Sequence, residues 1–117
     1  MNEFGSYIRD QREMKKNTDR SYSLRKVAVR IGVQASYLSK VERGDEAPPS
    51  EDCIKRLAQD LGEDADVLLA MAGKVSHDLL EVICKRPQMF AELIRQLKNQ
   101  PDHAVLRVVR EVREGEW

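Results

Sequence analysis

Between Leu24 and Gly44 the chain reads LRKVAVRIGVQASYLSKVERG, two short helical patterns flanking one glycine. Val27, Ala28 and Ile31 make the apolar stripe of the first; Val33, Leu38 and Val41 make that of the second. Spacings of three and four residues put each set on one face of a helix. Ala28 is small where two helices have to cross closely. Gly32 follows four residues later, where the chain must turn sharply and a positive φ is expected. The two patterns therefore share one apolar surface and meet at a tight turn.

The rest of the chain also reads as helix. A first helix is expected from about Asn2 to Lys15, with Phe4, Ile8 and Gln11 on its inner face. Asn17-Thr18-Asp19-Arg20-Ser21 is polar and turn-like. Ser23 is an N-cap for the second helix, which ends near Gly32, and the third helix covers Ala35 to Arg43 before Gly44. Asp45 to Pro49 reads as a loop, because its prolines remove donors and favour extended backbone. Ser50 caps a fourth helix with Cys53, Ile54, Leu57, Ala58 and Leu61 in one stripe, and Asp64 to Met71 makes a fifth with Val67, Leu68 and Met71 inward. No alternating strand pattern occurs, so the expected class is all-α.

The layout of Leu24 to Gly44 is that of a helix-turn-helix, whose second helix lies in a DNA major groove. Ser23-Leu24, Val27-Ala28, Gly32-Val33, Tyr37-Leu38-Ser39, Val41-Glu42-Arg43-Gly44, Pro49-Ser50, Ile54, Leu57-Ala58 and Leu61-Gly62 follow one another in an order and spacing that resembles the phage repressor and Cro-like family, also called XRE-type helix-turn-helix. The resemblance runs from about Phe4 to Gly73. It implies a compact five-helix domain that binds double-stranded DNA, usually as a homodimer on a two-fold operator. Three features depart from the family pattern. Leu24 stands where many members carry a Gln that contacts the DNA backbone. The connection from Glu13 to Tyr22 is several residues longer, and Gln34 occupies the usual Ser or Thr cap of the recognition helix.

With Val33, Leu38 and Val41 inward, the outward set is Gln34, Ala35, Ser36, Tyr37, Ser39, Lys40 and Arg43. The resemblance implies that positions 34 to 36 and 40 lie most often at base edges. Gln34 suits adenine or a phosphate, Ser36 a base or a phosphate, Ala35 a thymine methyl, and Lys40 guanine acceptors or a phosphate. Tyr37 is expected to pack its ring on the second-helix side with its hydroxyl toward a phosphate. Arg25, Lys26 and Arg43 are candidate backbone contacts, which fix register without reading sequence. Each of these charges has a plain alternative as a solvated surface group. The resemblance also implies that Glu42 pairs with an arginine of the first helix, for which Arg12 aligns better than Arg9. Bracing the two helices is the expected role of that pair, since a carboxylate facing phosphates would be repelled.

Net charge over the 117 residues is zero, which by itself argues against a nucleic-acid partner. Its distribution argues the other way. Residues 1–44 hold ten Lys and Arg against five Asp and Glu, and residues 45–117 hold ten against fifteen, so a balance of +5 sits on the segment with the motif. Hydrophobic residues at 41% and charged residues at 34% suit a helical domain. No apolar run approaches the roughly 20 residues of a membrane span, and no signal-peptide pattern opens the chain. A cytoplasmic protein without membrane contact is the expectation. Cys53 and Cys84 follow no metal spacing and are expected as buried reduced thiols. His77 and His103 stand alone, and no phosphate loop, HExxH zinc motif or nucleophile elbow occurs. No enzyme activity, metal or cofactor is expected.

Residues 1–73 are thus read as the DNA-binding domain and residues 74–117 as a helical extension. Ser76 is expected to cap a helix through Lys85 with Leu79, Leu80 and Ile83 apolar. Pro87 suits the first turn of the next, with Phe90, Leu93, Ile94 and Leu97. Asn99-Gln100-Pro101 breaks it, and Asp102 is expected to cap a last helix carrying Val105, Leu106, Val108, Val109 and Val112. So many β-branched residues leave that helix dependent on packing. The extension either completes one core or supplies a subunit interface. The function expected is a sequence-specific transcription regulator, most simply a repressor; the alternative is an antitoxin-like module that binds a protein partner through 74–117 and represses its own operon.

Overall fold

The computed structural model describes residues 3–117, and among them all regular structure is helical. The elements are α1 (Glu3–Lys16), a single 3-10 turn (Arg20–Tyr22), α2 (Leu24–Ile31), α3 (Ala35–Arg43), α4 (Glu51–Leu61), α5 (Ala65–Met71), α6 (His77–Lys85), α7 (Pro87–Leu97) and α8 (Asp102–Glu114). The expected start of the first helix at Asn2 lies outside the described residues. The chain divides into two compact units, one ending at Ser76 and one running from His77 to Trp117. The first holds α1–α5 together with the 3-10 turn, which the sequence had suggested only as a polar connection.

Local chemistry explains the helix ends of the first unit. Ser23 Oγ accepts from the Lys26 backbone N–H at 3.3 Å, and Ser50 Oγ accepts from that of Cys53 at 3.3 Å. Asp64 Oδ1 accepts from the N–H groups of Asp66 and Val67 at 2.9 and 3.3 Å. Each of these side chains satisfies donors that an α-helix leaves free at its start. Gly32 and Gly44 end α2 and α3 in the left-handed region, at φ 79° and 80°. A β-carbon on Gly32 would meet nothing within 4 Å, so conformation rather than space demands glycine there. Val33 N–H then reaches back to Ala28 O at 2.9 Å and closes the turn into α3.

The buried cluster draws on every helix of this unit. Phe4 and Ile8 come from α1, Val27, Ala28 and Ile31 from α2, Leu38 and Val41 from α3, and Cys53, Ile54, Leu57, Ala58 and Leu61 from α4. The inner face of α1 continues at Arg12, which is buried, while Gln11 is only half-buried. The stripe of α5 differs from the expected one. Leu68 and Leu69 are buried, whereas Val67 and Met71 are 49% and 38% exposed. Ala65 and Ala72 pack beside the buried pair, so the inward set is 65, 68, 69 and 72. Every position from Val67 to Ala72 is apolar, and periodicity alone had no means to choose between two faces.

The connection after α1 is built around Tyr22. The Asp19 side chain accepts from Ser21 N–H at 2.9 Å, which starts the 3-10 turn. Those bonds from Ser21 also hold the Asp19 carboxyl below its ordinary pKa. Two cations then approach the Tyr22 ring, Lys15 Nζ at 5.5 Å and the Arg30 guanidinium carbon at 5.1 Å from its centroid. Its hydroxyl donates to Asp60 O at 3.3 Å, while Arg30 donates twice to the Asp60 carboxylate at 2.6 and 3.1 Å. One tyrosine thus ties α1, α2 and α4 at the connection that follows α1.

Two further expectations are corrected. The N-cap position of α8 belongs to Pro101, in extended backbone, and Asp102 is the first helical residue. There the carboxylate faces the positive end of the helix dipole without capping it. Cys53 is buried but Cys84 is exposed. Burial pushes the Cys53 thiol above its ordinary pKa, and thiols react as thiolates. A disulfide-exchange reagent applied to the native chain should therefore label one thiol quickly, and Cys84→Ser should abolish that fast phase. Rapid labelling that survives Cys84→Ser would show that Cys53 is accessible.

Candidate nucleic-acid interface

α3 buries Leu38, Val41 and Glu42, and this fixes which of its edges faces solvent. Gln34, Ser36, Lys40 and Arg43 are exposed; Ala35, Tyr37 and Ser39 are half-buried. Gln34 holds the N-cap position in extended backbone (φ −72°, ψ 142°) and makes no side-chain bond to the helix end. Its amide therefore has no role in capping. On α2, Arg25 and Lys26 are exposed in the first turn.

Two clefts flank this edge. One, of about 500 Å³, is lined by Arg25, Val29, Gly32, Val33, Gln34 and Ala35 on the α2 side. The other, of about 210 Å³, lies between α1 and α3 and is lined by Arg9, Arg12, Glu13, Leu24, Ser39, Glu42 and Arg43. The first cleft thus brings Arg25 of α2 together with Gln34 and Ala35, and the second holds Ser39 and Arg43, both of α3. Arg9, weighed from the sequence only as an alternative ion-pair partner, lines the second cleft beside Ser39 and Arg43. The only hint in the sequence was its position one helical turn before Arg12 and Glu13.

Tyr37 is the aromatic residue of this edge. It is half-buried against the core, and burial raises the pKa of its hydroxyl, with Cys53 and Glu46 adding to the rise. Cys53 lies on α4 and Glu46 in the loop before it. Arg43 donates through Nε to Asp45 Oδ2 at 3.1 Å, with both side chains more than half exposed. An exposed pair of this kind contributes at most about 1 kcal/mol, so a phosphate competes with it readily.

The polar clamp behind α3 is far more enclosed. Arg12 donates from Nε to Glu42 Oε2 at 2.8 Å and from Nη2 to Glu42 Oε1 at 2.9 Å, a two-bond fork with both side chains about 5% exposed. Nη1 donates to Tyr22 O at 3.2 Å, and Nη2 also reaches Glu13 Oε1 at 3.1 Å. The bond to Glu42 holds the guanidinium more firmly charged than usual, against the opposing effect of burial. The pair is neutral as a unit, and Arg9, Arg25, Lys26, Lys40 and Arg43 are exposed cations of α1, α2 and α3. An oriented helix edge with cations on both flanks suits phosphates around a read base edge.

The helix-turn-helix domain family matches residues 3–71, which is α1 to α5. Over 69 residues, 59% of this chain, the sequence is 44% identical to two uncharacterized HTH-type transcriptional regulators from two strains of Mycobacterium tuberculosis. The matched stretch spans 45% of each relative, so less than half of their length has a counterpart here. No solved structure matches the chain. Among the described residues, no helix is long and apolar enough to cross a membrane. The family match falls on the unit whose caps, turn and exposed α3 edge have just been described, and the chain belongs to the helix-turn-helix domain family.

Proposed function

We propose that this chain is a sequence-specific DNA-binding transcription regulator of the phage repressor and Cro-like (XRE-type) kind. In this reading it is a cytoplasmic repressor that acts by binding rather than by catalysis. Two copies meet a palindromic operator with their recognition helices about 34 Å apart. The observation that carries the reading is the exposed polar edge of α3, held at a fixed angle by the buried Arg12–Glu42 fork. Gln34, Ala35, Ser36 and Lys40 read base edges, while Arg25, Lys26, Ser39, Arg43 and Arg9 hold the backbone. Tyr37 packs its ring on the core and offers its hydroxyl to a phosphate. Residues 1–73 carry this activity, and residues 74–117 provide the association that two half-sites require.

Selection from random duplexes should return a two-fold symmetric site. Against that site Lys40→Ala should cost about 1–3 kcal/mol, roughly a 5–150-fold loss of affinity, if Lys40 reads a base. Affinity for random duplex should then change far less. Equal losses on both would make Lys40 a phosphate contact instead. Binding should weaken steeply with salt, each phosphate contact adding about 0.9 to the slope of log K against log salt concentration. Failure to retain any duplex at low ionic strength would overturn the reading altogether.

A further inference from the structure

Four residues of α2 are exposed: Arg25, Lys26, Val29 and Arg30. Three are cations. The fourth is a valine at 75% exposure, above every other large apolar side chain among the described residues of the α1–α5 unit. A β-branched residue lowers helix propensity, and Val29 gains no burial in return. A lone apolar residue on a surface is ordinary, but Val29 does not stand alone. It lines the cleft of about 500 Å³ together with Val33 and Ala35, which are half-buried and pack on the core. Gly32 lines the same cleft, and a β-carbon there would meet nothing within 4 Å, so the space beside the turn is open.

The remaining walls of this cleft are polar. Arg25 stands one helical turn before Val29 on the same face of α2, and Gln34 stands at the start of α3. Arg25 suits a phosphate and Gln34 an adenine edge. A valine can serve neither, since its side chain carries no donor. The major groove does offer an apolar group of its own, the methyl on C5 of thymine. A methylated cytosine carries the same group at the same ring position.

We propose that Val29, with Val33 and Ala35, forms a receptor for a pyrimidine C5-methyl, so that α2 as well as α3 takes part in reading the site. This rests on the regulator reading and adds to it a specificity-determining residue outside the recognition helix. Arg25 holds the backbone of the strand, and Val29, one turn nearer Gly32, meets the methyl at the base edge. Gln34 at the same mouth matches the adenine of a thymine pair, which favours thymine as the source of the methyl. Taking one methyl out of water against an apolar wall contributes about fourfold in affinity.

The test uses the full chain and the duplex selected from random sequence. Each thymine is replaced singly by deoxyuridine, which pairs identically and lacks only the methyl. At one position of a half-site the unaltered chain should lose about fourfold in affinity. Val29→Ala should bind the thymine and deoxyuridine duplexes equally at that position. Its urea midpoint should not move, because the side chain is exposed. A companion series puts 5-methylcytosine in place of each cytosine. A gain of about fourfold that Val29→Ala abolishes would assign the receptor to a methylated cytosine rather than to thymine. If no position shows a methyl effect that Val29→Ala removes, the proposal is overturned, and any effect that persists belongs to Ala35 alone. A loss in Val29→Ala that is equal on both duplexes at every position also overturns it and places the valine against deoxyribose. Sequence-selective binding without a Val29-dependent methyl effect sinks this proposal alone, whereas a chain that retains no duplex sinks the regulator reading and this proposal with it.

Discussion

Glu42→Ala is expected to destabilise the α1–α5 unit by about 3–5 kcal/mol, because it leaves the Arg12 guanidinium buried without its counter-charge. Arg12→Ala should cost a similar amount by stranding Glu42. The measurement is the urea midpoint of unfolding at constant slope. Both side chains are about 5% exposed and share two hydrogen bonds, so water has little access to repair either loss. The asymmetry between breaking and replacing the pair is the sharper part of the prediction. An apolar replacement of both residues, Arg12→Met with Glu42→Leu, should recover most of the stability, since two desolvated charges disappear together. That double variant should nevertheless bind duplex less well, because α3 then loses the fork that orients it and Tyr22 O loses its donor. If the double variant is as unstable as either single one, the pair stabilises the fold outright rather than bracing it.

The second large effect concerns the register of α5. Leu69→Ala should cost about 2–5 kcal/mol, the usual range for emptying a closed core site of a leucine. Val67→Ala on the same helix should stay within roughly 0.5 kcal/mol. Leu69 has no exposed surface, whereas nearly half of Val67 faces solvent. Equal losses at both positions would mean that α5 is rotated from the arrangement described here.

Much of the first unit was legible in the sequence because it rests on short-range chemistry. Ser23 and Ser50 cap helices through bonds that span three residues, whereas Asp64, read as the first residue of the fifth helix, proves to be its cap. Gly32 and Gly44 mark places where only a glycine takes the left-handed turn without strain. The stripes of α2, α3 and α4 alternate polar and apolar residues sharply enough to point one face inward. Arg12 and Glu42 were paired through resemblance rather than by any local rule, since 30 residues separate them.

Other features had no local signature. α5 offers two apolar faces, and its contact with α4 and α1 selects the one carrying Leu69 between two small alanines. Tyr37 is half-buried against the core, and cations drawn from α1 and α2 approach the Tyr22 ring. Arg9 joins the α3 cleft only because α1 crosses behind it. The chain alone determined the caps at Ser23 and Ser50, the turns at Gly32 and Gly44, and that the second of two short helices keeps a polar edge, since caps, turns and amphipathic spacing act within a few residues. Tertiary structure decided which apolar face points inward and which cations share a cleft, since those outcomes depend on neighbours tens of residues away.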